Sequence, residues 1–201
     1  YHSIKTGGIA FDHTFGMSVF PYFAANPESA RIFDAGMTSF SSSVAKALVE
    51  AYDFSSYKTI ADIGGGHGLL LDFILEKASD SKGILFDQRQ VVEGAHVRHN
   101  VEIVGGDFFA SIPVVADLYV MKFIIHDWND EQSVTILSNL AKSAQPGSKL
   151  LLLETVIEEN NEPSMSKVMD LNMLVITGGR ERTATEYSRL LEASGFKLTN
   201  V

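Results

Sequence analysis

An apolar run that ends in an acid, breaks into alternate glycines and resumes as a helix admits few folds. Residues 59–68 read TIADIGGGHG, and LLLDFIL follows. Glycine tolerates positive φ and lets a ligand approach the backbone closely. A strand that turns through glycines into a helix N-terminus is how open α/β sheets cradle nucleotides. Nineteen residues after Gly68, the run GILF ends in Asp87. A carboxylate at the end of a second strand is placed to accept from both ribose hydroxyls of an adenosine-containing ligand.

The glycine spacing narrows the ligand. A dinucleotide fingerprint reads G-x-G-x-x-G, with an acid about 20 residues further on. Here Gly64, Gly66 and Gly68 alternate, and the sixth position counted from Gly64 is Leu69. That rhythm disfavours a wrapped pyrophosphate and a nicotinamide dinucleotide. No lysine follows the glycines to hold a phosphate. The D-x-G-x-G-x-G run from Asp62 resembles motif I of the S-adenosylmethionine (SAM) methyltransferases, whose cofactor carries no phosphate.

The rest of the chain repeats strand and helix in turn. TIADI, GILF, VEIV, DLYVMKFI and KLLLLETV are short, near-continuous apolar runs, as expected of parallel strands buried on both faces. Helical patterns separate most of them. In NDEQSVTILSNLAKSAQPG, Asn129 and Gln132 form a capping box, and Pro146 and Gly147 stop the helix. Two more helices follow, SKVMDLNMLVI and TATEYSRLLEAS, the second opened by the box Thr183–Glu186. Gly195 ends it, and GFKLTNV reads as a sixth strand. Upstream, residues 1–26 read as irregular or short helical structure, and Pro27 opens a helix with Asn26 as its N-cap. The expectation is an α/β fold, a doubly wound, mostly parallel sheet with helices on both faces. Residues 1–57 are then a helical lead-in carrying substrate-side helices, and 58–201 the cofactor-binding domain.

Ligands on such sheets bind beyond the carboxyl ends of the strands. At or just after those ends the five runs place Gly64, Asp87, Asp107, His126 and Glu154 in succession, which predicts one lined cleft. Neighbouring strands lie ~4.8 Å apart. His126 and Glu154, after adjacent strands, are therefore expected to meet, and a carboxylate makes a histidine a better general base. Glu181, in GGRERT, is a second candidate partner. Asp107 and Phe108 suit adenine, one to accept from its amino group and one to stack. Lys122 is placed to extend from the sheet toward the cofactor. Phe33, Met37, Asn172 and Met173 are candidates for an aromatic substrate pocket. His2, His13, His67, His96 and His99 read as structural or solvent-exposed. Asp127, Asn129 and Asp130 crowd a strand-to-helix turn, where helix capping explains them better than a metal.

Composition excludes some partners. A net charge of −9 argues against a nucleic-acid backbone and weakly favours a cationic cofactor. The chain has no cysteine, which removes disulfides and thiolate metal sites and is compatible with a reducing, cytoplasmic setting. No apolar run reaches the ~18 residues of a membrane span. The chain starts at Tyr1 in mid-pattern, as a fragment or processed form does.

At this point the match to a family is specific. FDAGMTSFS, DIGGGHG, ILFDQ, VGGDFF, MKFIIHDWND, LLLLETV and GGRERT occur in order along the chain. Together they resemble the SAM-dependent small-molecule O-methyltransferases of the caffeic acid and hydroxyindole type, including bacterial members. The resemblance implies a Rossmann-like class I methyltransferase fold and no catalytic metal. It implies His126 as general base flanked by Glu154 and Glu181. It implies cofactor contacts at Ser41, Gly64, Gly66, Asp87, Gln88, Asp107, Phe108 and Lys122, and substrate contacts at Phe33, Met37, Asn172 and Met173. The implied reaction moves a methyl group from SAM to a hydroxyl of a small aromatic or polyketide-like molecule, leaving S-adenosyl-L-homocysteine. The other reading is a SAM-binding module on the same fold that is divergent or does not turn over. Family members are homodimers through an N-terminal helical region that this sequence lacks, and they continue past the point matching Val201. The C-terminal strands are therefore expected to be incomplete.

Overall fold

Five parallel strands form in the computed structural model, which describes residues 1–95, 97–98 and 100–201, without the side chains of Asp34, Thr38, Ser39 and Phe40. His96 and His99 lie outside the described residues. The strands are β1 (Thr59–Ile63), β2 (Lys82–Asp87), β3 (Val101–Gly105), β4 (Leu118–Lys122) and β5 (Lys149–Leu153). Their order is β3-β2-β1-β4-β5. In register, Ile63 lies opposite Phe86, Asp87 opposite Gly105 and Lys122 opposite Leu153. The carboxyl ends therefore share one edge. The strand order reverses beside β1, where the glycine turn begins, and that is the position at which such sheets bind ligands.

The apolar runs are continuous because the central strands are covered on both faces. Ile60, Ala61, Ile63, Leu118, Tyr119, Val120 and Met121 all have zero exposure. Helix α5 (Leu69–Lys77) brings Leu70, Leu71, Ile74 and Leu75 into a cluster with Ile60, Leu85, Leu118 and Val120. The remaining helices are α1 (His2–Thr6), α2 (Ala10–Phe15), α3 (Val19–Ala25), α4 (Pro27–Ala51), α6 (Arg89–Val92), α7 (Asp130–Ser143), α8 (Met165–Ile176) and α9 (Ala184–Ala193). A short parallel pair, β6 (Val156–Ile157) with β7 (Arg182–Thr183), forms a second, two-stranded sheet. No helix among the described residues is long and apolar enough to cross a membrane.

The chain divides into two compact units, each drawn from separated segments. One comprises residues 1–33, 123–138 and 154–201; the other comprises 34–122 and 139–153 and holds the five-stranded sheet. We call them the histidine unit and the sheet unit.

Local signals act mostly as expected. The Asn129 side chain accepts from the Gln132 N–H at 2.9 Å, and the Thr183–Glu186 box closes in both directions. The Asn26 Nδ2 also serves the end of α3, donating to the Tyr22 carbonyl at 2.8 Å. One expectation fails. Residues 196–201 form no strand. A strand exists through backbone pairing, and these residues pair with none among the described residues.

Candidate active site

In the sheet unit, the alternate glycines are alternate left-handed residues. Gly64, Gly66 and Gly68 have φ of 73°, 61° and 86°. The Gly64 N–H donates to the Phe86 carbonyl at 2.7 Å, and the Gly68 N–H to the Gly65 carbonyl at 3.0 Å. Gly65 is glycine for a different reason: a Cβ there would lie 2.5 Å from the Asp62 carboxyl carbon. Around Gly66 a Cβ would meet nothing within 4 Å among the described residues, so the turn presents bare backbone there.

Asp87 holds this turn to the end of β2. Its Oδ2 accepts from the Gly66 N–H at 2.8 Å and its Oδ1 from the Gln88 N–H at 2.6 Å. Burial raises its pKa against the pull of those two donors. Each oxygen keeps a lone pair for a further donor. Lys122 and Ser41, both candidates from the sequence, meet: the ammonium donates to the hydroxyl at 2.8 Å. Asp107 lies exposed just beyond β3 and accepts from the Phe109 N–H at 2.9 Å. The Phe108 ring packs edge-on to Phe109 at 5.0 Å. Asn139, which the sequence reading missed, pins this loop by donating to the carbonyls of Phe108 and Phe109, each at 2.9 Å.

Asp62 was also missed as a site residue. It is 1% exposed, and its Oδ2 has no hydrogen-bond partner among the described residues. Burial pushes its pKa up to about 7, against the attraction of Lys122. A buried polar atom without a partner is costly. Here it sits directly under the glycine turn, and the motif's leading acid was the signal that marked it.

In the histidine unit, β4 gives way to a 3₁₀ turn, Ile125–Asp127, that carries His126. Phe123 leaves the strand with φ of 54°, a region bulky residues enter at a cost of about 1–3 kcal/mol. Its ring stacks on the His126 imidazole at 5.5 Å. Glu181 Oε1 lies 3.0 Å from His126 Nδ1, and Glu154 Oε2 lies 3.8 Å from the same nitrogen. The carboxylate order expected from strand adjacency is therefore reversed. Glu181, 55 residues away, is the hydrogen-bond partner. Glu154 instead uses Oε1 to accept from the backbone N–H groups of Ile124 and Ile125, at 3.1 and 2.8 Å, and so fixes the turn itself.

When Nδ1 carries the hydrogen of the His126–Glu181 bond, the neutral ring keeps its lone pair on Nε2, which lies 3.9 Å from Asp127 Oδ1. Burial lowers the imidazole pKa, but the Glu181 hydrogen bond and the charges of Glu154, Asp127 and Glu181 outweigh it, and the net direction is upward. Burial raises Glu154 to about 7 and Asp127 to about 6. The donor atoms of His126, Glu154 and Glu181 lie within 4.8 Å of one another, a set also compatible with a metal ion. This set is distinct from the Asp127–Asn129–Asp130 run considered from the sequence. In that run Asn129 caps α7 and Asp130 pairs with Arg180 and Arg182.

The substrate-side candidates divide between the units. Phe33 is exposed and stacks on Phe23 at 4.7 Å. Asn172 is half-buried on α8, where Met173 is 7% exposed and its carbonyl accepts from Thr177 and Gly178. Met37, in the sheet unit, is half-buried on α4.

An alternate-glycine turn lies at the strand-order reversal of the sheet unit, and the histidine unit holds a buried histidine against a carboxylate. Comparison with known proteins places the chain. Residues 2–197 match the model of the O-methyltransferase domain family, and the chain belongs to that family. It is 42% identical over 207 residues to a phenazine O-methyltransferase, PhzM, of Lysobacter antibioticus, covering 100% of this chain and 61% of that protein. A crystal structure of LaPhzM superposes with a TM-score of 0.95 at 42% identity, over 100% of this chain and 62% of that one. NcsB1, an O-methyltransferase from neocarzinostatin biosynthesis solved with S-adenosyl-L-homocysteine and 1,4-dihydroxy-2-naphthoic acid, gives 0.84 at 30% identity, over 96% and 60%. The chain thus spans about three-fifths of the length of these relatives.

Proposed function

We propose that this chain is the catalytic domain of a SAM-dependent O-methyltransferase acting on a hydroxyl of a small aromatic or polyketide-like acceptor. One observation carries the reading: a buried imidazole whose Nδ1 lies 3.0 Å from a buried carboxylate. In this reading Nδ1 carries the hydrogen and Nε2 is the proton acceptor. The sheet unit fits the cofactor. Its glycine turn exposes backbone around Gly66, Asp87 sits at the end of β2 with acceptor capacity left, and Asp62 holds an unpartnered oxygen beneath. Bound there, SAM supplies an electrophilic sulfonium methyl group.

The protein's own share is orientation and proton transfer. In this proposal Gly64, Gly66, Asp87 and Gln88 hold the nucleoside, Asp107 and Phe108 flank the adenine, and Ser41 with Lys122 closes the site. Phe33, Met37, Asn172 and Met173 are the acceptor contacts in this proposal. A phenol with pKa ~10 is a weak nucleophile at neutral pH. His126 Nε2 takes its proton as the oxygen attacks, and Glu181 and Glu154 stabilise the imidazolium that forms. Such base catalysis is worth about 10²–10⁴-fold. Retention of both glutamates around His126 favours turnover over a module that only binds.

The test is incubation with SAM and a panel of phenols and hydroxynaphthoic acids, with products read by mass spectrometry. A gain of one methyl group on a hydroxyl is the expected result. SAM binding without product on any member of the panel would refute the catalytic reading.

A further inference from the structure

We propose that Arg182 is a positioning residue for His126, its buried guanidinium gripping the carbonyls on both sides of the turn that carries the imidazole. The proposal rests on the reading of His126 as the base. Arg182 has zero exposure, unusual for an arginine. Nη1 donates to the Ile125 carbonyl at 3.1 Å and Nη2 to the Trp128 carbonyl at 2.8 Å. Those carbonyls belong to the residue before His126 and the residue two after it. The other donors go to the Arg180 carbonyl at 3.3 Å, Ser133 Oγ at 3.3 Å and Asp130 Oδ1 at 3.1 and 2.9 Å.

Burying a guanidinium costs several kcal/mol, and an ion pair returns little when its partner is open to water. The Asp130 side chain is 52% exposed. The Asp130 contact therefore gives no sufficient reason for burying Arg182. The carbonyl contacts do, because only a planar fork reaches two divergent acceptors from two nitrogens; the single ammonium of lysine does not.

The same short segment makes the rest of the attachment. The Arg180 N–H donates to the His126 carbonyl at 2.8 Å. Gly179 passes so near that a Cβ there would collide with the His126 carbonyl oxygen and the Asp127 backbone. Glu181, between Arg180 and Arg182, supplies the carboxylate on Nδ1. Residues 179–182 thus carry both the partner of the imidazole and the clamp on its turn. The 3.0 Å contact is set by that clamp.

The charged groups that face His126 are Glu181, Glu154 and Asp127. Behind them, both glutamates bear on Tyr187, and Asp170 accepts from the Glu181 N–H at 3.0 Å. Arg182→Lys keeps the local charge and removes the fork. The experiment is a ¹⁵N-histidine NMR titration of the chain, run on wild type, Arg182→Lys and Asp130→Asn, with methyl transfer measured in parallel. In Arg182→Lys the His126 pKa should fall by about half a unit or more toward 6.5. Turnover should drop about tenfold or more, with acceptor KM and SAM affinity unchanged. Asp130→Asn keeps an acceptor oxygen beside Arg182 while removing the charge, and should give a smaller fall that persists in ~0.5 M salt, where a purely Coulombic effect is screened. If Arg182→Lys does not fold, the Asp130→Asn result in salt decides alone. His126 titrating within about 0.2 units of wild type in every folded variant would make Arg182 a fold stabiliser only and overturn the proposal. Absence of methyl transfer by the wild type would count against the proposed function instead, since the titration does not depend on turnover.

Discussion

Gly64, Gly66 and Gly68 offer backbone at the end of one strand, and the residues that shape their turn lie within 25 positions of it, at Asp62 and Asp87. His126 is held by side chains 28 and 55 positions away, at Glu154 and Glu181, with Arg182 gripping its turn from 56. The sheet unit builds its site from main-chain geometry that a period and a few glycines specify. The histidine unit builds its site from buried charges that specify one another. Backbone sites of the first kind tolerate changes in side chains that point away. Networks of the second kind fail when one member is lost, because each buried charge left behind is then uncompensated.

The largest expected effect falls on the histidine. His126→Asn should lower methyl transfer by about 10²–10⁴-fold, measured as kcat on a phenolic acceptor. Adding Glu181→Gln should cost little more, because both act on one proton. Independent, additive losses would show that Glu181 has a separate role.

Protonation sharpens the contrast next. Asp62 and Glu154 have folded pKa values of about 7, raised by burial. Their unfolded values are about 4. The raised folded value means that the contribution of each to stability is full below the unfolded pKa and is lost as pH rises through about 7. The melting temperature should therefore fall between pH 5.5 and 8. Glu154→Gln should flatten part of that slope, leaving the parts due to Asp62 and to Asp127, which burial raises to about 6. A melting temperature that rises across this range would mean that these carboxyls are ionised without penalty.

Two glycines separate the two kinds of construction. Gly179→Ala places a methyl group against the His126 carbonyl and should destabilise the chain by about 1–3 kcal/mol in denaturant unfolding, with a loss of turnover. Gly66→Ala meets open space but keeps φ of 61°, and should cost about 1–2 kcal/mol. Its functional loss should appear in SAM affinity. The smallest effect is Thr183→Ala, which removes the cap of α9 and should cost about 1 kcal/mol with kcat preserved.

The same contrast explains what the sequence disclosed. Parallel strands came from continuous apolar runs, the turn from alternate glycines, and the helix starts at Asn129 and Thr183 from capping pairs three residues apart. These are local signals with a fixed period. The order of the carboxylates around His126 was not local: strand adjacency pointed to Glu154, and the loop after α8 delivered Glu181 closer. The roles of Gly179 and Arg182 were hidden within GGRERT, because a glycine's need for close approach and an arginine's burial depend on what folds against them. Asp62 was in plain view but looked like the end of a strand. The lack of pairing at 196–201 had no local signature at all.

The central claim is that cofactor binding resides in the glycine-turn region and proton transfer in the His126 cluster, so that the two are separable by mutation. Calorimetric titration of wild type, Asp87→Ala and His126→Asn with SAM tests it directly. Asp87→Ala removes a carboxylate and frees the Gly66 N–H, and should weaken binding by ~1.5–3 kcal/mol. His126→Asn should bind as wild type does. Unchanged affinity in Asp87→Ala, or an equal loss in both variants, would contradict the account.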